Sequence, residues 1–66
     1  MHIKDIPTEI RNRINEKDMT IKAVAERAGI VPQALSAMLN HRQSIPADTF
    51  IALCRVLDCT PEDFID

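Results

Sequence analysis

The sequence predicts an all-α fold built from five short helices, and three observations support this. Apolar residues recur three and four positions apart in successive stretches of the chain, which is the spacing of one face of an α-helix. Proline or a good N-cap residue precedes most of these stretches, and the single glycine falls at the end of one. Aromatic residues make up only 3% of a chain that is 45% hydrophobic, so the core is expected to be aliphatic.

The first helix is predicted to begin around Pro7 and to end near Lys17. An early proline beside acidic residues suits a helix N-terminus, which carries partial positive charge. Ile6, Ile10 and Ile14 recur at steps of four and so form one apolar stripe. These three isoleucines are therefore expected to face the core.

Two further helices are predicted to follow one another with almost no linker. Thr20 is a good N-cap for the second helix, and Gly29 can end it in the left-handed conformation without steric cost. Pro32 suits the first turn of the third helix. The residues expected to fill the angle between these two helices and their turn are Val24, Ala25, Ala28, Ile30, Leu35, Met38 and Leu39.

A polar loop from Asn40 to Ile45 is predicted to lead into a fourth helix, which Pro46 opens. The spacing i, i+3, i+4 and i+7 predicts an inward face for this helix. It consists of Phe50, Leu53, Cys54 and Leu57. Asp58 is expected to close the helix in a left-handed or turn conformation, which Asp tolerates better than most residues.

A short fifth helix is predicted after Thr60, because Pro61 follows this N-cap residue at the first helical position. Asp63 stands where a capping box usually has Glu. The helix would carry Phe64 and Ile65.

The length of 66 residues predicts a single domain over residues 1–66, too small for a deep catalytic cleft. Charged or strongly polar residues interrupt every apolar run before the 18 or so residues that a membrane span requires. Two cysteines are too few for a disulfide framework, and the chain opens without the pattern of a secretory leader. We therefore expect a cytoplasmic protein with no membrane association.

The net charge of −2 is divided unevenly along the chain. Residues 1–45 hold seven Lys or Arg against five Asp or Glu, whereas residues 46–66 hold one against five. Proteins that bind nucleic acid usually carry a positive excess, which displaces counterions from phosphates. A binding face in the first two thirds of the chain is therefore compatible with the acidic total.

The sequence contains no pattern that indicates an enzyme or a metal site. We find no glycine-rich phosphate loop and no nucleophile beside a base, and the histidines and cysteines are not spaced as zinc ligands. Cys54 and Cys59 are expected to be thiols of the core rather than redox sensors. No cofactor, metal or small-molecule ligand is predicted.

The stretch from Ile21 to Asn40 resembles the helix-turn-helix of the Cro and phage-repressor (XRE-type) family, because its inward residues and its glycine follow that family's pattern. The likeness continues through the last two predicted helices and covers residues 6–65. The resemblance implies a five-helix lambda-repressor-like DNA-binding domain with the helix-turn-helix at helices 2 and 3. It also implies a cytoplasmic transcriptional regulator, most simply a repressor, that commonly binds two operator half-sites as a dimer.

Two positions depart from the residues that many family members carry. Ile21 stands where many have glutamine, which removes one DNA contact that the resemblance would otherwise imply. His41 stands where many have glycine and is expected to adopt the left-handed conformation, which is uncommon for histidine but tolerated.

The resemblance places the recognition helix on residues 31–40, with its N-terminal part in the major groove. The residues expected to read bases are Val31, Pro32, Gln33, Ser36 and Ala37. Gln33 can pair with adenine through two hydrogen bonds, and Ser36 can bond a base or a phosphate. Val31 and Ala37 can touch thymine methyl groups, which favours a sequence rich in A·T pairs.

Phosphate contacts are expected at the start of helix 2 and in the loop after helix 3, where they fix register without reading sequence. The residues are Thr20, Lys22, Asn40, His41, Arg42, Gln43 and Ser44. Three further cations on helix 1 are interpreted as a solvated face, with DNA backbone contacts as the alternative. They are Arg11, Arg13 and Lys17.

Two alternatives remain open at this point. The same scaffold can serve as a protein-interaction module, such as an antitoxin or anti-repressor, which the acidic balance would suit. The apolar residues near the C-terminal end either form a patch that pairs two copies or are buried when helix 5 folds back. Those residues are Ile51, Val56, Phe64 and Ile65.

Overall fold

The computed structural model describes residues 4–65, which form four α-helices followed by a short 3₁₀ helix. The helices are α1 (Ile6–Glu16), α2 (Ile21–Ala28), α3 (Pro32–Leu39) and α4 (Ala47–Val56), and the 3₁₀ helix spans Pro61–Phe64. The protein is thus all-helical, as predicted. None of the helices between residues 4 and 65 reaches the length and apolarity that a bilayer crossing requires.

The predicted boundaries of the central helices are confirmed. The Thr20 hydroxyl oxygen accepts a hydrogen bond from the Ala23 N–H at 3.0 Å and so caps α2. Gly29 ends α2 with φ +74°, and Pro32 is the first residue of α3. Pro46 is the N-cap of α4 rather than its first residue, a difference of one position.

The four α-helices end in the same way, with a residue in the left-handed conformation just after the last turn. The residue that follows it donates its N–H to a carbonyl five positions back, as from Arg42 to Ala37 at 2.8 Å. The left-handed residues are Asp18, Gly29, His41 and Asp58, with φ of 53°, 74°, 62° and 55°. The expected conformations of His41 and Asp58 are thereby confirmed, whereas that of Asp18 was not anticipated.

The core lies where the helices meet and is formed by the apolar stripes that the spacing predicted. Its buried members are Ile10, Ile14, Val24, Ala25, Leu35, Leu39, Leu53, Cys54, Leu57 and Phe64. Phe50 and Ile30 are half-buried and pack against this cluster. Ala25 is fully buried, as expected of a residue that fills the angle between α2 and α3.

The predicted fifth α-helix is a 3₁₀ helix of four residues instead. The Asp63 carboxylate accepts from the Thr60 N–H at 3.0 Å, as a capping box requires. The helix does not continue, because Ile65 is extended (φ −121°, ψ 129°) and the Phe64 carbonyl accepts from the Lys4 N–H at 2.9 Å.

The short 3₁₀ helix places Phe64 inside the protein, where only 1% of it is exposed. Its ring meets that of Phe50 edge to face, with 5.1 Å between the centroids. Of the two alternatives left open for Phe64, burial is therefore the one that the structure shows, since its own chain covers it. Val56 is half-buried against the core as well, which leaves Ile51 and Ile65 exposed.

Candidate nucleic-acid interface

Helices α2 and α3 pack together through their apolar faces, with Ile30 and Gly29 in the turn between them. Leu35, Met38 and Leu39 occupy the inner side of α3 and are buried. The opposite side of α3 is consequently turned away from the core. This side carries the residues predicted to read bases.

The structure leaves the start of this face open to solvent. Val31 is 60% exposed, and Gln33 is exposed as well. Pro32, Ser36 and Ala37 are half-buried, so they offer less surface than the sequence suggested. The Gln33 side chain makes no hydrogen bond to another residue within 4–65, which leaves both ends of its amide available to a ligand.

The loop after α3 forms a second part of the surface, and we refer to residues 40–44 as the corner. All five of its residues are exposed. The corner turns sharply because His41 is left-handed and the Arg42 N–H closes back on the Ala37 carbonyl. Residues 41–45 also line an open groove together with Ile6 and Pro7 of α1.

The N-terminal end of α2 is also accessible, and Thr20 and Lys22 are both exposed there. The Thr20 hydroxyl oxygen is occupied by the Ala23 N–H, but its hydrogen is free to donate to an anion. The first amides of a helix carry partial positive charge, which favours phosphate at this position.

Helix α1 and its N-cap residue, Asp5, reach the corner through two side chains that sequence reasoning did not connect with it. Nη2 of Arg11 donates to the Leu39 carbonyl at 3.3 Å and to Oδ1 of Asn40 at 2.9 Å. Nε2 of His41 lies 3.1 Å from each carboxylate oxygen of Asp5. Arg11 is exposed, as the interpretation as a solvated face requires, but its guanidinium also caps the C-terminal end of α3.

The Asp5 carboxylate adds negative charge at the corner. The hydrogen bond from the Thr8 hydroxyl, at 2.7 Å, and the contact with His41 hold the pKa of Asp5 below its usual value of 3.8. Asp5 therefore stays ionised and offsets part of the positive charge that Arg42 brings to the corner. No sequence signal reveals this pair, because 36 positions separate its members.

The two cysteines lie at least partly inside the protein. Cys54 is buried and Cys59 is half-buried, as expected for core thiols. Burial and the neighbouring Cys59 raise the pKa of Cys54 to about 11, so it remains a protonated thiol. Within residues 4–65 no three side chains of His, Cys, Asp or Glu come together as metal ligands.

Comparison with solved structures shows that this fold is similar to the DNA-binding domain of the P22 C2 repressor, determined by nuclear magnetic resonance. The TM-score is 0.86, and the match covers 97% of this chain and 84% of the repressor domain at 20% sequence identity. No curated protein sequence matches the chain. A family model does match, over residues 9–66, and the chain therefore belongs to the Cro/C1-type helix-turn-helix DNA-binding domains.

Proposed function

We propose that this protein is a sequence-specific transcriptional regulator, in its simplest form a repressor, that reads duplex DNA by placing α3 in the major groove. The observation that carries the proposal is the exposed outer side of α3, where Gln33 stands unengaged by residues 4–65. A hydrogen bond from the Gln33 side chain to another residue would have indicated a structural role. Its amide is instead free to meet a base edge.

Base reading is proposed to centre on Gln33. Its amide can donate to N7 and accept from N6 of adenine, which is the paired geometry that glutamine and adenine share. Val31 exposes a large apolar surface at the N-cap of α3, which suits the methyl group of thymine. Pro32, Ser36 and Ala37 complete the proposed reading surface.

Phosphate contacts are proposed on both sides of this reading surface. Thr20 and Lys22 would bind one strand at the start of α2, and Arg42 with Gln43 and Ser44 would bind at the corner. The first backbone amides of α2 support the proposal at that end, because donors in fixed positions set the register of a protein on DNA. At the corner the amides of residues 40–42 donate to carbonyls of α3, so the side chains would make the contacts there.

A dimer is proposed in which two copies bind two half-sites one helical turn, about 34 Å, apart. Among residues 4–65, Ile51 and Ile65 are the large apolar side chains that remain exposed away from α3. They are the residues through which two copies would pair.

Selection of binding sites from random duplexes tests the proposal directly. Wild-type protein is expected to enrich one sequence, and Gln33→Ala is expected to lose about 1–3 kcal/mol of discrimination at one base pair. Arg42→Ala should weaken all sequences alike and reduce the salt dependence of binding by about one phosphate contact. Unchanged base preference in the Gln33 variant would refute its role.

A protein-interaction module is the second candidate, and the net charge of −2 with Asp5 at the corner favours it. Retention on DNA at several salt concentrations separates the two. A DNA-binding protein is retained at low ionic strength and released as salt rises, whereas a pure protein binder passes through at every salt concentration.

A further inference from the structure

A chain of hydrogen bonds runs from α1 to the outer side of α3. Nη2 of Arg11 donates to Oδ1 of Asn40 at 2.9 Å. Nδ2 of Asn40 then donates to Oγ of Ser36 at 3.4 Å. A residue of the first helix is thus linked, through one amide, to a side chain of the proposed reading surface.

The chemistry of Arg11 determines which group donates and which accepts in each of these hydrogen bonds. A guanidinium group has five N–H donors and no acceptor, so only the oxygen of the Asn40 amide can face it. The amide nitrogen must then face Ser36, and the Ser36 oxygen must accept. The orientation of Asn40 therefore follows from its partner and not from a choice between two equivalent amide positions.

The accepted hydrogen bond leaves Ser36 with one hydrogen of its own to donate. A hydroxyl has one donor and two acceptor sites, and Asn40 takes one of the acceptors. Within residues 4–65 no protein acceptor receives the Ser36 hydroxyl hydrogen. Ser36 lies one helical turn beyond Gln33 on α3, where that hydrogen can point away from the protein.

We propose that Arg11, acting through Asn40, leaves Ser36 its hydrogen and a single lone pair on the DNA side, so that Ser36 favours a base with a keto group over one with an amino group. Guanine O6 and thymine O4 accept hydrogen bonds at the same place on the major-groove edge where adenine and cytosine present amino donors. The inference rests on the proposed function and adds a specificity rule to it. Arg11 and Asn40 are positioning residues, since they act through Ser36.

The substitution Asn40→Asp reverses the direction of the hydrogen bond between residue 40 and Ser36, and it provides the main test. A carboxylate has acceptors only, so one oxygen keeps Arg11 and the other takes the hydroxyl hydrogen of Ser36. Ser36 would then present lone pairs to the DNA. The preference at its base pair is expected to change from keto to amino bases, by about two- to tenfold for one hydrogen bond.

The experiment selects sites from random duplexes with the full chain and compares base preferences position by position. Ser36→Ala identifies the base pair concerned, because discrimination falls there alone. Gln43→Glu is the matched control, since it makes the same amide-to-carboxylate change in the corner without a link to Ser36. Both acidic variants are expected to bind all DNA more weakly, but only Asn40→Asp changes the preference at the Ser36 base pair.

Arg11→Met is the second variant and decides the matter if Asn40→Asp does not fold, which circular dichroism reveals. Without Arg11 the Asn40 amide can rotate, so the keto preference should be lost without an amino preference in its place. An enriched sequence whose Ser36 position is indifferent to both variants overturns this inference alone. Failure of the wild-type protein to enrich any sequence overturns the proposed function and this inference together.

Discussion

Helix α1 contacts two regions of the protein in opposite ways. At the corner, Asp5 and Arg11 make hydrogen bonds between groups that are largely in water, and Asp5 and His41 each leave 57% of the side chain exposed. At the C-terminal segment, the Arg13 guanidinium lies 5.4 Å from the centre of the buried Phe64 ring. Two positions separate Arg11 from Arg13, which turns them toward different sides of the helix.

The difference separates the contacts that stabilise the fold from the contacts that order the groups proposed to face DNA. Exposed charged pairs add little to stability, because water screens them and ordering two side chains costs entropy. A buried aromatic ring removes a large apolar surface from water and dominates its surroundings. We therefore expect changes at the C-terminal segment to affect folding, and changes at the corner to affect DNA binding with little effect on folding.

Phe64→Ala should have the largest effect. Truncating a buried phenylalanine costs about 3–5 kcal/mol in free energy of unfolding, because apolar contacts are lost and a cavity remains. A chain of this size has little stability to spare, so most of the variant should be unfolded. Urea unfolding followed by far-ultraviolet circular dichroism measures the change.

Ile65→Ala is the matched control for this prediction, since Ile65 is the next residue and 42% exposed. It is expected to alter the free energy of unfolding by less than about 0.5 kcal/mol. Equal losses in the two variants would show that the C-terminal segment is held by its backbone, and the contrast between the two regions would fail.

The same contrast explains which features the sequence could predict. The helix-turn-helix was predicted from local signals, because Thr20, Gly29 and Pro32 each act within a few residues of their own position. The contacts of α1 and its N-cap with the corner join residues 28 to 36 positions apart and leave no local pattern. Arg11 on the surface of an isolated helix is indistinguishable from any solvated cation.

The C-terminal segment shows a related limit. The capping pattern around Thr60 correctly predicted where a helix begins, but it contains no information on how far the helix continues. The burial of Phe64 depends on the direction in which the segment folds back, which the Lys4 N–H helps to set through the Phe64 carbonyl. Spacing alone therefore left burial and an exposed patch as equal alternatives.

Arg11→Met should have an intermediate effect on stability, of about 1 kcal/mol. The variant keeps the apolar stem and removes the donors that cap the last carbonyls of α3, where a cation also interacts favourably with the helix dipole. Thermal unfolding measures the loss. Lys17→Met is the control, since this exposed lysine of the α1 C-cap makes no side-chain hydrogen bond within residues 4–65.

A loss with Arg11→Met as large as that expected for Phe64→Ala would contradict the proposed division between the two regions. A loss equal to that of Lys17→Met would show that the hydrogen bonds of Arg11 add nothing to stability. Either result would change the contribution to stability that is assigned to the hydrogen bonds of Arg11. The expected result lies between these limits.

Asp5→Asn should have the smallest effect and should depend on pH in a defined direction. The pKa of Asp5 is lowered in the folded protein by the Thr8 hydroxyl and His41, so folding favours its ionised form. The stabilisation is fully present above the unfolded pKa of 3.8 and is lost as pH falls through the lower folded value. The melting temperatures of wild type and Asp5→Asn should therefore differ at neutral pH and converge in acid, whereas Glu16→Gln controls for loss of any acidic charge from α1. A difference in melting temperature that persists in acid would mean that the negative charge of Asp5 does not stabilise its contacts at the corner. These contacts would then depend on packing, as at Phe64, and not on charge.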